Sequence, residues 1–241
     1  MAITSAPHDS DRTARHSQPA LIVAVIAALA LAAIGVALLV HNGGSSGSGV
    51  QGSGIAATQT RAVAAFSRLD LAGSNNVSVV VGARQSVVVH ADSNLISRVT
   101  TQVVAGTLVI GNVGSFTTRT PMSVDVSVPS LTALSLSGSG RISVTGVKAP
   151  RLAVTVSGSG LLSAAGAVTR LDVTLSGSGQ AQLDQLIASD VHAVVTGSGL
   201  IQVTATTSLD AAVPGTGAIM YGGDPPQVTT SVTGTGAVTR G

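Results

Sequence analysis

An all-β fold, wound as a parallel β-helix with right-handed winding expected, is predicted by three observations. A four-residue corner, Ser-Gly-Ser-Gly or a close variant, returns about every 19 residues. Apolar residues alternate with period two on both sides of each copy. The composition, 44% hydrophobic with 29 Gly but only 1% aromatic, supplies a thin aliphatic core and many tight corners.

The corners begin at Ser137, Ser157, Ser176, Thr196, Pro214 and Thr233, spaced by 20, 19, 20, 18 and 19 residues. Their glycines are Gly138 and Gly140, Gly158 and Gly160, Gly177 and Gly179, Gly197 and Gly199, Gly215 and Gly217, and Gly234 and Gly236. Glycine permits a sharp turn, including one with positive φ, without a Cβ penalty. One, three and five positions before each corner lie apolar columns, such as Leu136, Val156, Leu175 and Val195 at the first of these. Thr132 opens the column five before, ahead of Leu152 and Leu171. Beyond the corner, Ile142, Leu162, Ala181 and Ile201 share another column, with Val144, Ala164, Leu183 and Val203 two residues on. Each repeat therefore reads as strand, corner, strand, and a second, irregular corner. One repeat cannot bury its apolar face; stacked on copies of itself it forms a continuous core. A phosphate-cradling loop is excluded because no Lys follows the glycines and no helix is indicated after them. A calcium-binding repeat lacks its Asp.

Taken in order, residues 1–19 are polar and expected as a cytoplasmic tail. Ala20 to Val40 carries no charge over 21 residues, long enough for a membrane-spanning signal anchor. It is longer than the apolar region of a cleaved leader and ends without a small-residue cleavage site. Arg12 and Arg15 precede it and the first cation after it is Arg61, which predicts an internal N-terminus and an extracytoplasmic remainder. Residues 41–61 read as a Gly/Ser-rich linker. Residues 62–241 form the β-helical domain: 62–130 as irregular first rungs or a cap, with a hairpin turn at Ala105-Gly106, and 131–241 as six corner repeats.

Composition narrows the function classes. A net charge of +2, with no basic patch interleaved with aromatics, argues against nucleic acid as a partner. With no Cys there is no disulfide and no thiolate metal site, and no cofactor is expected. All ten acids are Asp. Four positions before the corners, Asp172, His192 and Asp210 fall on successive rungs, with Arg151, Arg170 and Asp190 two residues earlier. Two acids around an imidazole are the one candidate set for a divalent cation. A solvated polar ladder is the favoured reading, with metal binding behind it and catalysis last. His90 shows no partner in the sequence.

These features meet in a resemblance. Phe66, Leu69 and the Asn76 region, Gly106-Thr107-Leu108-Val109-Ile110, and Val128-Pro129-Ser130-Leu131 leading into Ser137 resemble the auto-transporter adhesin family with a head GIN domain. So does the ending, Gly215-Thr216-Gly217 through Tyr221-Gly222-Gly223-Asp224-Pro225 to Gly234-Thr235-Gly236. The resemblance covers about residues 63–241. It implies a bacterial envelope protein with a β-helical domain, and it brings no catalytic residues. The thin charge favours a non-enzymatic surface module, an adhesin or envelope scaffold that binds a glycan, wall polymer or protein. A membrane helix is expected to take the place of a translocator barrel. The rival expectation is a β-helical enzyme acting on surface or wall polysaccharide.

Overall fold

The structure, a computed structural model, describes residues 49–241. The tail, the span at 20–40 and the start of the linker lie outside the described residues. Seventeen strands follow in order: β1 (Val50–Gln51), β2 (Ala56–Thr60), β3 (Arg68–Leu71), β4 (Asn76–Val81), β5 (Ser86–Asp92), β6 (Val99–Val104), β7 (Thr107–Asn112), β8 (Phe116–Thr117), β9 (Ser123–Val128), β10 (Ala133–Leu136), β11 (Arg141–Val156), β12 (Leu161–Leu175), β13 (Gln180–Val195), β14 (Leu200–Val213), β15 (Ala218–Gly222), β16 (Gln227–Val232) and β17 (Ala237–Arg240). The described residues hold no α-helix, only one 3-10 turn at Ile96–Arg98.

From β10 onward the chain is a parallel β-solenoid. The arm before each corner pairs with its counterpart one rung away, so that Leu136 stands opposite Val156, Val156 opposite Leu175, and Leu175 opposite Val195. The arm after each corner does likewise, from Ile142 and Leu162 to Ala181, Ile201 and Ile219. All nine of these side chains are fully enclosed. The alternation forces this result: in a strand successive side chains take opposite faces, so the apolar set turns inward as a unit. Thr132 is the exception. Leu131 is buried in its stead, and the exposed Thr132 hydroxyl donates to the Ser67 carbonyl. The second corner is milder than expected. It is a bulge inside β11, β12 and β13, where the register slips between Val144 and Val147, between Ser163 and Gly166, and between Leu183 and Ile187.

The sequence assigned the corner glycines to turn geometry, but none of the twelve has a positive φ. The reason they must be glycine is the neighbouring rung. A Cβ on Gly158 would fall on the Gly138 carbonyl, and one on Gly177 on the Gly158 carbonyl, inside the 3.0 Å that real Cβ atoms respect. Corner stacks on corner through backbone, with the Gly179 amide donating to Gly158 at 3.0 Å and the Gly217 amide to Gly197 at 3.0 Å.

The first part of the domain is built out of order. β3, a corner at Ala72-Gly73-Ser74-Asn75, and β4 make a complete rung, on which the Ser137 corner stacks directly. The chain then moves outward, and β7 and β9 add a further rung on the far side of β3 and β4. Only afterwards does it cross back to lay β10 against the near side of β3. Antiparallel strands close this end: β6 on β7, β5 on β9, and β2 on β5. The β6–β7 turn is the expected Ala105-Gly106, with φ of 48° and 74° as a two-residue hairpin requires.

The linker, expected to run to residue 61, gives way to strand sooner. β1 pairs with β8 and β2 with β5. Asp92, fully enclosed at the end of β5, explains the attachment. Its carboxylate accepts the amides of Gly54 at 2.7 Å, Arg119 at 2.9 Å and Thr120 at 3.3 Å, joining three segments. At the opposite end, β16 is exposed along its whole length, Val228 and Val232 included.

Candidate functional site

The polar ladder forms where the sequence placed it. Asp172 is opposite His192, and His192 opposite Asp210, on the outward side of β12, β13 and β14. Beside them Arg151, Arg170, Asp190 and Ser208 make a second outward column, two residues earlier in each strand. Val173, Val191 and Leu209, of opposite parity, face the core. The ladder is thus rigidly carried although its own side chains are largely in solvent.

Its internal bonding divides it in two. Asp172 is the enclosed member, with 12% of its side chain exposed, and it faces the arginines. Arg151 donates from Nε at 2.8 Å and Arg170 from Nε at 3.2 Å, both to this one carboxylate. The other half is acidic. His192 Nδ1 lies 3.1 Å from an oxygen of Asp210, and the Ser208 hydroxyl donates to Asp190 at 2.6 Å. Between the halves is a cleft of about 190 Å³ bounded by Arg170, Asp190, Val191, His192, Ser208 and Asp210.

The three-ligand cation site does not assemble. His192 and Asp210 touch, but Asp172 is held by two guanidinium groups, and among the described residues no group of three His or Asp is arranged for a metal. Register alone put the three on one column; the arginines two residues away, at equal reach, carry full positive charge and take the carboxylate.

His90 has two partners, contrary to the sequence reading. Its Nδ1 is 3.0 Å from the Thr58 hydroxyl and its Nε2 is 3.0 Å from Asp125. Both partners come from unforeseen pairings: β2 lies in the stretch assigned to the linker, and β9 slots in beside β5 out of chain order. The three span adjacent strands on an open surface, where the side chains of His90 and Asp125 are 36% and 57% exposed. A further carboxyl missed in the sequence is Asp70 in β3. It is buried, one oxygen has no hydrogen-bond partner among the described residues, and Ser135 stands opposite. Burial pushes its pKa up, with the hydrogen bond from Ser135 opposing. At Asp92 burial also works upward, but the amides of Arg119, Thr120 and Gly54 outweigh it and hold the carboxyl below its ordinary value.

A parallel solenoid with a split cationic and acidic ladder on one outward face defines the class: a rigid β-solenoid presenting side chains from a regular lattice. The chain belongs to the family described as "putative auto-transporter adhesin, head GIN domain", which matches residues 65–225. Solved structures share its fold. A "putative adhesin" from Bacteroides fragilis is 22% identical with a TM-score of 0.67, covering 80% of this chain and all of that one. A "putative adhesin" and a "putative lipid binding protein" from Parabacteroides distasonis, each 22% identical over the same shares, have TM-scores of 0.54 and 0.53. Among curated proteins nothing matches the chain.

Proposed function

We propose that the chain is a membrane-anchored binding module of the bacterial envelope. Residues 20–40 span the membrane, the N-terminus is cytoplasmic, and the β-solenoid stands outside as a non-enzymatic scaffold for an envelope glycan, wall polymer or protein. The observation that carries the reading is the bonding of Asp172. Glycoside chemistry uses two carboxylates with separate roles, one of them free to move a proton across the scissile bond. In the ladder the most enclosed carboxylate is engaged by two arginines instead. The family supports an adhesive role and an exposed location. The charge asymmetry about residues 20–40 supports the orientation.

The cleft between Asp190 and Asp210 keeps one second reading in view, a carbohydrate-active enzyme. Both are tested together by passing the full-length protein, in mild detergent, over envelope polysaccharide fractions. Retention without new reducing ends or unsaturated products is the expected result. Product release would make it an enzyme, and the absence of retention on any fraction would remove the binding reading. Protease applied to spheroplasts should strip the solenoid and leave a small membrane stub; a protected domain would overturn the topology.

A further inference from the structure

The ladder is asymmetric in a way that its role as a generic binding face does not require. Arg151 and Arg170 stack on adjacent rungs, about 4.8 Å apart. Each spends only its Nε–H on Asp172, and among the described residues neither makes a protein hydrogen bond through its terminal nitrogens. Their side chains are 52% and 49% exposed, above a carboxylate that is 12% exposed. Asp172 therefore acts as a floor that orients two guanidinium forks outward and leaves a surplus of one positive charge within this trio, with Asp190 opposite Arg170 on the next rung. Such a pair matches one anionic oxygen group, since a guanidinium edge meets a carboxylate or phosphate with two parallel N–H donors.

The next rungs have the opposite character. Asp190 accepts from Ser208 with one oxygen and Asp210 meets His192 with one oxygen, so among the described residues each has a second oxygen with no protein partner. Both border the cleft that Arg170 also borders. Free carboxylate oxygens accept hydrogen bonds from sugar hydroxyls and repel a second anion. A ligand that is anionic at one end of its repeat and neutral and hydroxylated at the other is complementary to this face. Building on the binding role proposed above, we infer that Arg151 and Arg170, set by Asp172, hold the uronate carboxylate of an acidic polysaccharide, with the adjoining neutral sugar in the Asp190–Asp210 cleft.

The probe is hyaluronan oligosaccharide, in which a uronate alternates with a neutral amino sugar, applied to immobilised full-length protein. Two further arms are polygalacturonate, charged on every residue, and poly(glycerol phosphate), which carries the same kind of anion on phosphorus. Saturable hyaluronan binding is expected, weaker for polygalacturonate and for the phosphate polymer. Arg151→Gln and Arg170→Gln should each weaken it on the order of tenfold. Asp172→Asn makes the protein more positive, yet it should weaken binding because the forks lose their floor. Arg141→Gln, where the chain has left the ladder for the other arm of the rung, should change nothing. If a Gln variant melts lower than wild type, Arg151→Lys and Arg170→Lys keep the charge, lose the fork, and should still weaken binding.

Tighter or equal binding by Asp172→Asn, or an equal loss in Arg141→Gln, would reduce the effect to diffuse charge and overturn the site. Equal or stronger binding of the phosphate polymer would overturn the uronate, and equal binding of polygalacturonate would overturn the alternation. No saturable hyaluronan binding overturns the proposal outright. Retention on envelope fractions that persists in both Gln variants would sink this site alone, whereas no retention by wild type would sink the binding role beneath it.

Discussion

Replacing Gly158 by Ala isolates the force that fixes the corner motif. If this glycine served only to free the backbone, its φ, which is not positive, would let Ala in without strain. The smaller unfolded ensemble would then stabilise the protein by about 0.4–1 kcal/mol. The structure requires the opposite sign. The new methyl would fall on the Gly138 carbonyl oxygen, with the Gly138 carbonyl carbon and the Ser137 oxygen each at 2.8 Å. All are backbone atoms, so relief means separating two rungs and weakening their hydrogen bonds. Overpacking of this kind costs roughly 1–3 kcal/mol, and loss of corner hydrogen bonds adds about 1 kcal/mol. At about 2–4 °C per kcal/mol for a domain of this size, the melting temperature should fall by ~4–16 °C. Circular dichroism of the full-length protein reads this directly. Gly236→Ala, whose methyl would press on the Gly217 carbonyl, is the internal comparison. Its rung has no described neighbour beyond it and can lift away, so its loss should be smaller. An unchanged or raised melting temperature in Gly158→Ala would refute backbone stacking as the reason for the motif.

Three further outcomes follow from individual side chains. Val156→Asp, which puts a carboxylate in the fully enclosed column, should cost several kcal/mol in chemical denaturation, about 3 or more, while outward Thr155→Asp should cost under ~1 kcal/mol; equal losses would break the register. Asp92 has a depressed folded pKa, so its contribution is complete above its ordinary value of 3.8 and is lost as pH falls through the lower folded value; hydrogen exchange at residues 52–54 and 119–120 should accelerate there, and Asp92→Asn should show the faster exchange already at pH 7. Asp70 has the reverse sign: its folded pKa is raised, so its ionised form is a penalty at neutral pH that disappears as pH falls toward 3.8, and Asp70→Asn should raise the melting temperature at pH 7 but not in acid, a pH-independent shift counting against it.

The regular half of the fold was legible because one-dimensional stacking repeats the same local demand in every rung. The repeats from Ser137 to Thr235 carry the register of the core columns in their spacing, and a column position is left unburied at Thr132 and in the exposed last rung, Val228 to Val232. The first half was opaque for a physical reason. Ala72-Gly73-Ser74-Asn75 is a true corner, with Leu69 and Leu71 before it and Val77 and Val79 after it in the same columns as later repeats. It lies 65 residues ahead of Ser137, outside the period, because the chain inserts a whole rung out of order before returning. Asn75 replaces the second glycine and bonds Asn112 from the inserted rung. Searching for the flanking columns instead of the glycines would have found it. The same inversion hid the partners of His90. In the ladder, register predicted which residues are vertical neighbours but not which of several neighbours a carboxylate would choose. That choice depends on side-chain reach, which period and parity do not encode.

Folding does not account for where the charges sit. Only 9% of residues are charged, and an outward position in a solenoid accepts almost any polar residue at similar cost. In the columns that hold the ladder, the rungs on either side carry Ala133, Ala153 and Thr229, which fold as well. Ion pairs as exposed as those of Arg151 and Arg170 contribute about 0–1 kcal/mol, too little to be what the domain needs for stability. Yet two arginines, three aspartates and a histidine gather on four consecutive strands, cations at one end and carboxylates at the other. A solenoid holds such a pattern at fixed spacing without spending its core on it, so the pattern is free to be set by what lies against the face. That is the physical ground for looking to this face, in preference to the uncharged corners, for the partner of the domain.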